Sequence, residues 1–159
     1  MTLLTQNINQ IVSLTTEEKS AIEKAYSTIE IAKGDLWVQQ GKICDQVGFL
    51  VSGKLRNFYI DKTGNEVTCY FVSPENFISS FTSFLTNTPA NENISALEDS
   101  VLRVISKKDL EELGEHVPKM QIIFFCLCAS IDRCSKNSTL DRKMNNLSIS
   151  RVWLTYGVV

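Results

Sequence analysis

From about Ile29 to Ile105 the chain is written in short runs of β-branched and aromatic residues, each stopped by a glycine or a polar turn. That punctuation restricts the fold to an all-β sandwich or barrel. Ile29-Glu30-Ile31 runs into Lys33-Gly34, Leu36-Trp37-Val38 into Gly41, and the alternating Val47, Phe49 and Val51 into Ser52-Gly53. The run from Leu55 to Phe71 folds about Asp61-Lys62-Thr63-Gly64-Asn65 and reads as a hairpin. In its second arm Val67, Cys69 and Phe71 are expected on one face, with Glu66, Thr68 and Tyr70 on the other. Two further strands are expected at Ile94 to Leu97 and Val101 to Ile105.

Helices flank these strands. Thr15-Thr16-Glu17-Glu18 forms a capping box, and the helix it opens carries Ile22, Ala25 and Tyr26 on one face and should end near Ser27. Met1 to Gln10 is polar and lacks a basic region followed by an apolar stretch. Phe81, Phe84 and Leu85 share a helical face in a short helix capped by Ser79 or Ser80. Ser106-Lys-Lys-Asp109 caps another, which Gly114 is expected to close. Pro118 suits the first position of a longer helix. There Met120, Ile123, Phe124, Leu127 and Ile131 form one apolar stripe, and Ile122, Phe125, Cys126 and Ala129 a second. A helix apolar nearly all round needs cover on two sides. The barrel supplies one cover; a second copy of the helix supplies the other, which predicts a homodimer through Met120, Ile123, Phe124, Leu127 and Ile131. The alternative is a central helix within one monomer.

Composition narrows the function classes. The five cysteines (Cys44, Cys69, Cys126, Cys128, Cys134) are odd in number and form no disulfide framework, so they read as reduced thiols of a cytoplasmic protein. Cys126-Phe-Cys128 has half the ligands of a metal site, but with one histidine, His116, in the chain the expected metal count is none. No Gly-x-Ser-x-Gly elbow and no Gly-rich phosphate loop occurs, so no catalytic residue is assigned. No secretory signal and no apolar run of membrane-spanning length is present, so no membrane partner is expected. The net charge of −2 gives no support for nucleic-acid binding.

The order of parts resembles the cyclic-nucleotide-binding domain of Crp/Fnr-family transcription regulators, the family of the catabolite activator protein. The residues that carry it are the glycine-punctuated run from Lys33-Gly34 to Thr63-Gly64-Asn65, the stretch Val47-Gly-Phe-Leu-Val-Ser-Gly-Lys-Leu-Arg56, Phe77 with its short helix, Ala96-Leu97-Glu98-Asp99, and two closing helices. The likeness spans roughly residues 12 to 131. It implies a fold that is mainly β with flanking helices, a jelly-roll β-barrel followed by a long C-terminal helix at a dimer interface. It also implies transcriptional regulation through a winged helix-turn-helix. Residues 1–131 are accordingly taken as the sensor domain and 132–159 as an unassigned tail.

A buried cyclic nucleotide needs a cation for its phosphate, backbone amides at a helix start, and a carboxylate for the ribose hydroxyl. The resemblance implies that a Phe-x-Gly-Glu-Leu segment and a later Arg-Ser/Thr-Ala supply them. Here the first segment is Phe77-Ile78-Ser79-Ser80-Phe81, with serines in place of the glycine and glutamate. The arginine position falls on Ala90, followed by Asn91 and Glu92, and no lysine or arginine occurs from Asn65 to Val101. The cassette of Phe77, Ser79, Ser80, Phe81, Ala90, Asn91 and Glu92 is therefore read as degenerate: no cofactor is expected, cAMP is disfavoured, and the ligand is an unidentified small molecule or none.

Only 28 residues follow Ile131, against on the order of 70 for a winged helix-turn-helix. The expectation is a natural truncation, a frame change or a fragment, with DNA contact made through a missing domain. The competing readings are a ligand-free interaction and dimerisation module and, more remotely, a cupin-like metalloenzyme. One histidine counts against the second, because such a site needs several clustered.

Overall fold

The computed structural model describes residues 1–124; Leu127, Ile131 and the tail 132–159 lie outside the described residues. The chain begins with two helices, α1 (Leu3–Ile11) and α2 (Thr16–Ala25). At α2 both halves of the capping box are made: Thr15 Oγ1 accepts from the Glu18 amide at 3.2 Å, and Glu18 Oε2 accepts from the Thr15 amide at 2.7 Å. α1 was not expected. Its cap is Thr2, and Leu4 and Ile8, four residues apart, lie buried on the face it turns to the core. Of the polar residues between them Thr5 is buried as well, whereas Gln6 is exposed and Asn7 half-buried, and together they mask the period.

Strands follow: β1 (Ser27–Ile31), β2 (Leu36–Val38), β3 (Gln46–Ser52), β4 (Leu55–Ile60), β5 (Glu66–Val72) and β6 (Phe77–Ile78). Then come α3 (Phe81–Thr86), β7 (Asn93–Ala96), β8 (Ser100–Ser106) and α4 (Lys107–His116). The expected closed barrel resolves into two four-stranded antiparallel sheets, ordered β1-β8-β3-β6 and β2-β7-β4-β5. Strands consecutive in sequence mostly alternate between the sheets, so hydrogen bonding closes each sheet separately while side chains fill the space between.

Two cores result. Between the sheets lie Ile31, Val38, Leu50, Leu55, Ile94 and Leu102. On the outer face of the first sheet, Val47, Phe49 and Ile105 pack against Leu4, Ile8, Ile22, Tyr26, Leu113 and Val117 from the helices. β3 is thus covered on both faces: Leu50 points between the sheets, whereas Val47 and Phe49 point to the helices. Gly48 lets Trp37 close in, since a Cβ there would stand 2.8 Å from Trp37 Cη2 and 2.9 Å from Leu102 Cδ2.

The β4–β5 hairpin turns at Asp61–Asn65 as read, but its second arm departs from alternation. Asn57 pairs with Tyr70 and Phe58 with Thr68, so Cys69 is the extra residue of a bulge. In consequence Val72 and Tyr70 pack against the inter-sheet core and Phe71 is 57% exposed.

Gly114 does not close α4. The Val117 amide still reaches the Leu113 carbonyl at 2.7 Å, and the helix gives way only before Pro118, which disfavours helical backbone in the residue preceding it. Residues 119–124 are helical again. Their start is fastened to the N-terminal arm, where Lys119 Nζ donates to the Ser13 carbonyl and to Glu18 Oε2, both at 2.9 Å. Met120 and Ile123 are 3% and 0% exposed, buried against the chain's own helix-side core, while Ile122 is 54% exposed. The described part of the stripe assigned to a partner is thus covered within one chain, because α1, α2 and α4 fill that side.

Candidate functional site

The cassette runs from β6 through α3 to the start of β7. Phe77 stacks its ring 4.9 Å from that of Phe49, and Phe81 packs partly buried against the helix-side core. Both aromatics therefore face the helices.

Ser79 and Ser83 turn to the end of the β2–β3 loop and the start of β3. Ser79 Oγ donates to the Gln46 carbonyl at 2.6 Å and lies 3.6 Å from Cys44 Sγ. Ser83 Oγ accepts from the Cys44 amide at 2.8 Å. Ser80 holds the N-cap position of α3, and its carbonyl accepts from the Phe84 amide at 2.8 Å, but its hydroxyl makes no capping bond. That hydroxyl is buried and unpartnered among the described residues.

Ala90 is held by the same loop. Its amide donates to the Lys42 carbonyl and its carbonyl accepts from the Gly41 amide, each at 2.8 Å, and Ile43 bridges Pro89. The Ala90 methyl is 3% exposed and belongs to the inter-sheet core. Asn91 is exposed and Glu92 half-buried. The structure thus brings Ser79 and Ala90 to one loop, turns Phe77 and Phe81 away from it, and leaves Asn91 at the surface. Sequence reasoning did not single out Cys44, Gln46 or Ser83, which do the stitching. Nothing in the spacing of that loop marks them, since the contacts join segments far apart in the chain.

Three basic side chains, those of Arg56, Arg103 and Lys107, are engaged elsewhere. Arg56 shares the outer face of β4 with Phe58, 4.3 Å from that ring, and its Nη1 donates to Glu66 Oε2 at 2.7 Å. Arg103 Nη1 donates to Glu23 Oε2 at 3.0 Å, and Nη2 to the carbonyls of Glu23 and Tyr26 at 2.9 and 3.0 Å. Lys107 Nζ donates to the Phe84 and Leu85 carbonyls at 3.1 and 3.5 Å, at the C-terminal end of α3. There it complements the negative end of the helix. Lys42 meets Ala90 through its backbone carbonyl, while its side chain is exposed. Among the described residues no group of three or more potential metal ligands comes together, and no helix is long and apolar enough to cross a membrane.

Two antiparallel sheets, with helices banked on one of them and a helix-bearing segment between β6 and β7, define a mainly β domain. The chain belongs to the cyclic nucleotide-binding domain family, whose model matches residues 28–116. Three solved structures with this fold are informative. The catabolite activator protein of Thermus thermophilus is 21% identical with a TM-score of 0.70, over 89% of this chain and 63% of that one. The sensor domain of the transcriptional regulator DNR from Pseudomonas aeruginosa is 15% identical with a TM-score of 0.66, over 87% of this chain and 93% of that one. The regulatory subunit of a cAMP-independent protein kinase A from Trypanosoma brucei is 17% identical with a TM-score of 0.65, over 90% of this chain and 50% of that one. The chain thus spans less than two thirds of the Thermus protein's length. No curated protein matches the sequence.

Proposed function

We propose that this chain is the effector-sensing and dimerisation module of a Crp/Fnr-type transcription regulator, with a cassette that does not hold cAMP in the usual mode. The observation that carries this reading is Ala90. It stands where the resemblance implies the phosphate arginine, its methyl is packed into the inter-sheet core, and the chain from Asn65 to Val101 holds no basic residue. A buried phosphate without a paired cation is disfavoured by several kcal/mol. At about 1.4 kcal/mol per decade, that removes useful affinity. The Ser79 hydroxyl, at the implied glycine position, is already committed to Gln46, and Ser80 brings no carboxylate to the implied glutamate position. The likeness to a cAMP-independent kinase subunit supports a fold that serves regulation without this nucleotide.

The dimerisation part rests on the helix after Pro118. Its Ile122 side is exposed while Met120 and Ile123 are covered, so a second copy would meet the Ile122 side of a long C-terminal helix. No catalytic role is assigned. Calorimetry with cAMP and cGMP, beside sedimentation of the full chain, tests both parts. The expected result is no heat of binding at micromolar nucleotide and a dimer at micromolar protein. Micromolar cAMP affinity overturns the cassette reading, and a monomer at high concentration overturns the dimer.

A further inference from the structure

A cleft of about 430 Å³ opens to solvent between α1 and α2, within the range of roughly 300–1,000 Å³ common for small-molecule sites. Its walls come from α2 and the start of α1, so it is separate from the cassette and from the space between the sheets. Thr16, Lys19, Ser20 and Glu23 of α2 line it. Their spacing of three, four and seven residues from Thr16 puts them on one helix face. Thr2 and Thr5 stand opposite, at the start of α1.

The charges on this face are held apart. Lys19 and Glu23 have the spacing at which opposite charges on a helix meet, as Lys108 and Glu112 do at 3.8 Å on α4. Glu23 has other partners: its Oε2 accepts from Arg103 Nη1 at 3.0 Å and its Oε1 from the Thr2 hydroxyl. The planar fork of Arg103, which also holds the Glu23 and Tyr26 carbonyls, outcompetes a single flexible ammonium. Lys19 is left half-buried without an ion pair among the described residues. The Thr16 and Ser20 hydroxyls beside it make no hydrogen bond there either. An ionised carboxylate offers roughly four acceptor positions, more than the bonds to Glu23 fill. The cleft therefore presents an unpaired cation with two free hydroxyls at one end and an anion with acceptor capacity at the other.

We propose that this cleft binds a small α-amino or α-hydroxy acid. The ligand carboxylate meets Lys19 and the Thr16 and Ser20 hydroxyls, and its α-ammonium or α-hydroxyl donates to Glu23. The order of charges sets the class. A bare anion would satisfy Lys19 but face the Glu23 carboxylate, and a simple amine would satisfy Glu23 but face the Lys19 ammonium. A carboxylate and a donor on adjacent carbons match both ends at once. Glu23 is tied through Arg103 to β8, so occupancy also bears on the join between the N-terminal arm and the first sheet. None of this depends on the cassette reading, which the cAMP titration tests by itself.

The test titrates the full chain with L-alanine, L-lactate and propionate, by calorimetry and thermal shift. The three acids differ only in the α-substituent: ammonium, hydroxyl or hydrogen. The expected result is saturable binding of L-alanine or L-lactate, with propionate weaker by about tenfold or more. Lys19→Gln should weaken the bound acid by a similar factor and leave the unliganded melting temperature unchanged, because the Lys19 ammonium makes no bond in the folded chain. The propionate comparison reads the part played by Glu23 without disturbing its bond to Arg103. Neither heat nor thermal shift with L-alanine and L-lactate overturns the proposal. Propionate binding as tightly as the other two also overturns it, since Glu23 then recognises nothing. Unchanged affinity in Lys19→Gln does the same, by placing the ligand elsewhere.

Discussion

The Phe84 ring of α3 lies 5.8 Å from the Phe124 ring in the helix after Pro118, tilted by 44°. Phe84 is 2% exposed and sits in the helix-side core with Met120 and Ile123. The cassette helix and the C-terminal helix therefore share one packed unit, although they belong to distant parts of the sequence. Phe84→Ala should destabilise the domain by roughly 3–5 kcal/mol, the range for a buried phenylalanine truncated to alanine. Denaturant unfolding measures it, and amide exchange across 119–124 should accelerate in the same variant. A loss under about 1 kcal/mol would show that α3 contributes little to that unit.

Acid should loosen the N-terminal arm through Glu23. Burial works to raise its carboxyl, but hydrogen bonds from Thr2, Thr5 and Arg103, with the Arg103 charge, outweigh that and hold it below the usual value of 4.5. A carboxyl lowered in the folded state stabilises fully above its unfolded value, and that contribution fades as pH falls through the folded value. The melting temperature should therefore drop below about pH 4.5, and Glu23→Gln should flatten that part of the acid limb. An acid limb identical in Glu23→Gln and wild type would remove Glu23 from the account.

Two turn glycines separate backbone strain from steric overlap. Gly53 (φ +94°) and Gly64 (φ +86°) both hold left-handed backbone, which side chains disfavour by roughly 1–2 kcal/mol. A Cβ on Gly64 meets nothing within 4 Å, whereas one on Gly53 falls 2.7 Å from the Ser100 Cα and overlaps the Ser100 hydroxyl. Gly64→Ala should thus lower stability by about 1 kcal/mol and Gly53→Ala by at least twice that, read from paired unfolding curves. Equal losses would mean that the Ser100 turn gives way freely.

Local signals proved readable where two or three neighbouring residues settle the outcome. Thr15 and Glu18 are enough to make a capping box, and the Asp61–Asn65 turn is enough to fold the hairpin. Signals failed where a distant segment decides. Val47 and Phe49 alternate as an inward face would, yet the helices provide the cover and Leu50 takes the interior. The single residue Cys69 reverses the facing of the strand around it, and composition carries no trace of a bulge. At the cassette, the absence of any lysine or arginine from Asn65 to Val101 is plain in the sequence. The burial of Ala90 and the commitment of Ser79 to Gln46 depend on a loop some forty residues away, Gly41 to Gln46, and are not.

An arginine placed at position 90 should not by itself confer cAMP binding. Ala90 is 3% exposed and belongs to the inter-sheet core, so an arginine there must either bury its charge or swing the loop outward. Burying the charge unpaired is disfavoured by several kcal/mol. Swinging outward breaks the backbone bonds of Ala90 to Gly41 and Lys42. The remaining cassette offers the phosphate no glycine at Ser79 and the ribose no carboxylate at Ser80. Ala90→Arg is therefore expected to melt lower than wild type and to give no calorimetric signal with micromolar cAMP. If this one substitution instead produced micromolar affinity, the cradle would have been intact all along, with the guanidinium as its single missing part.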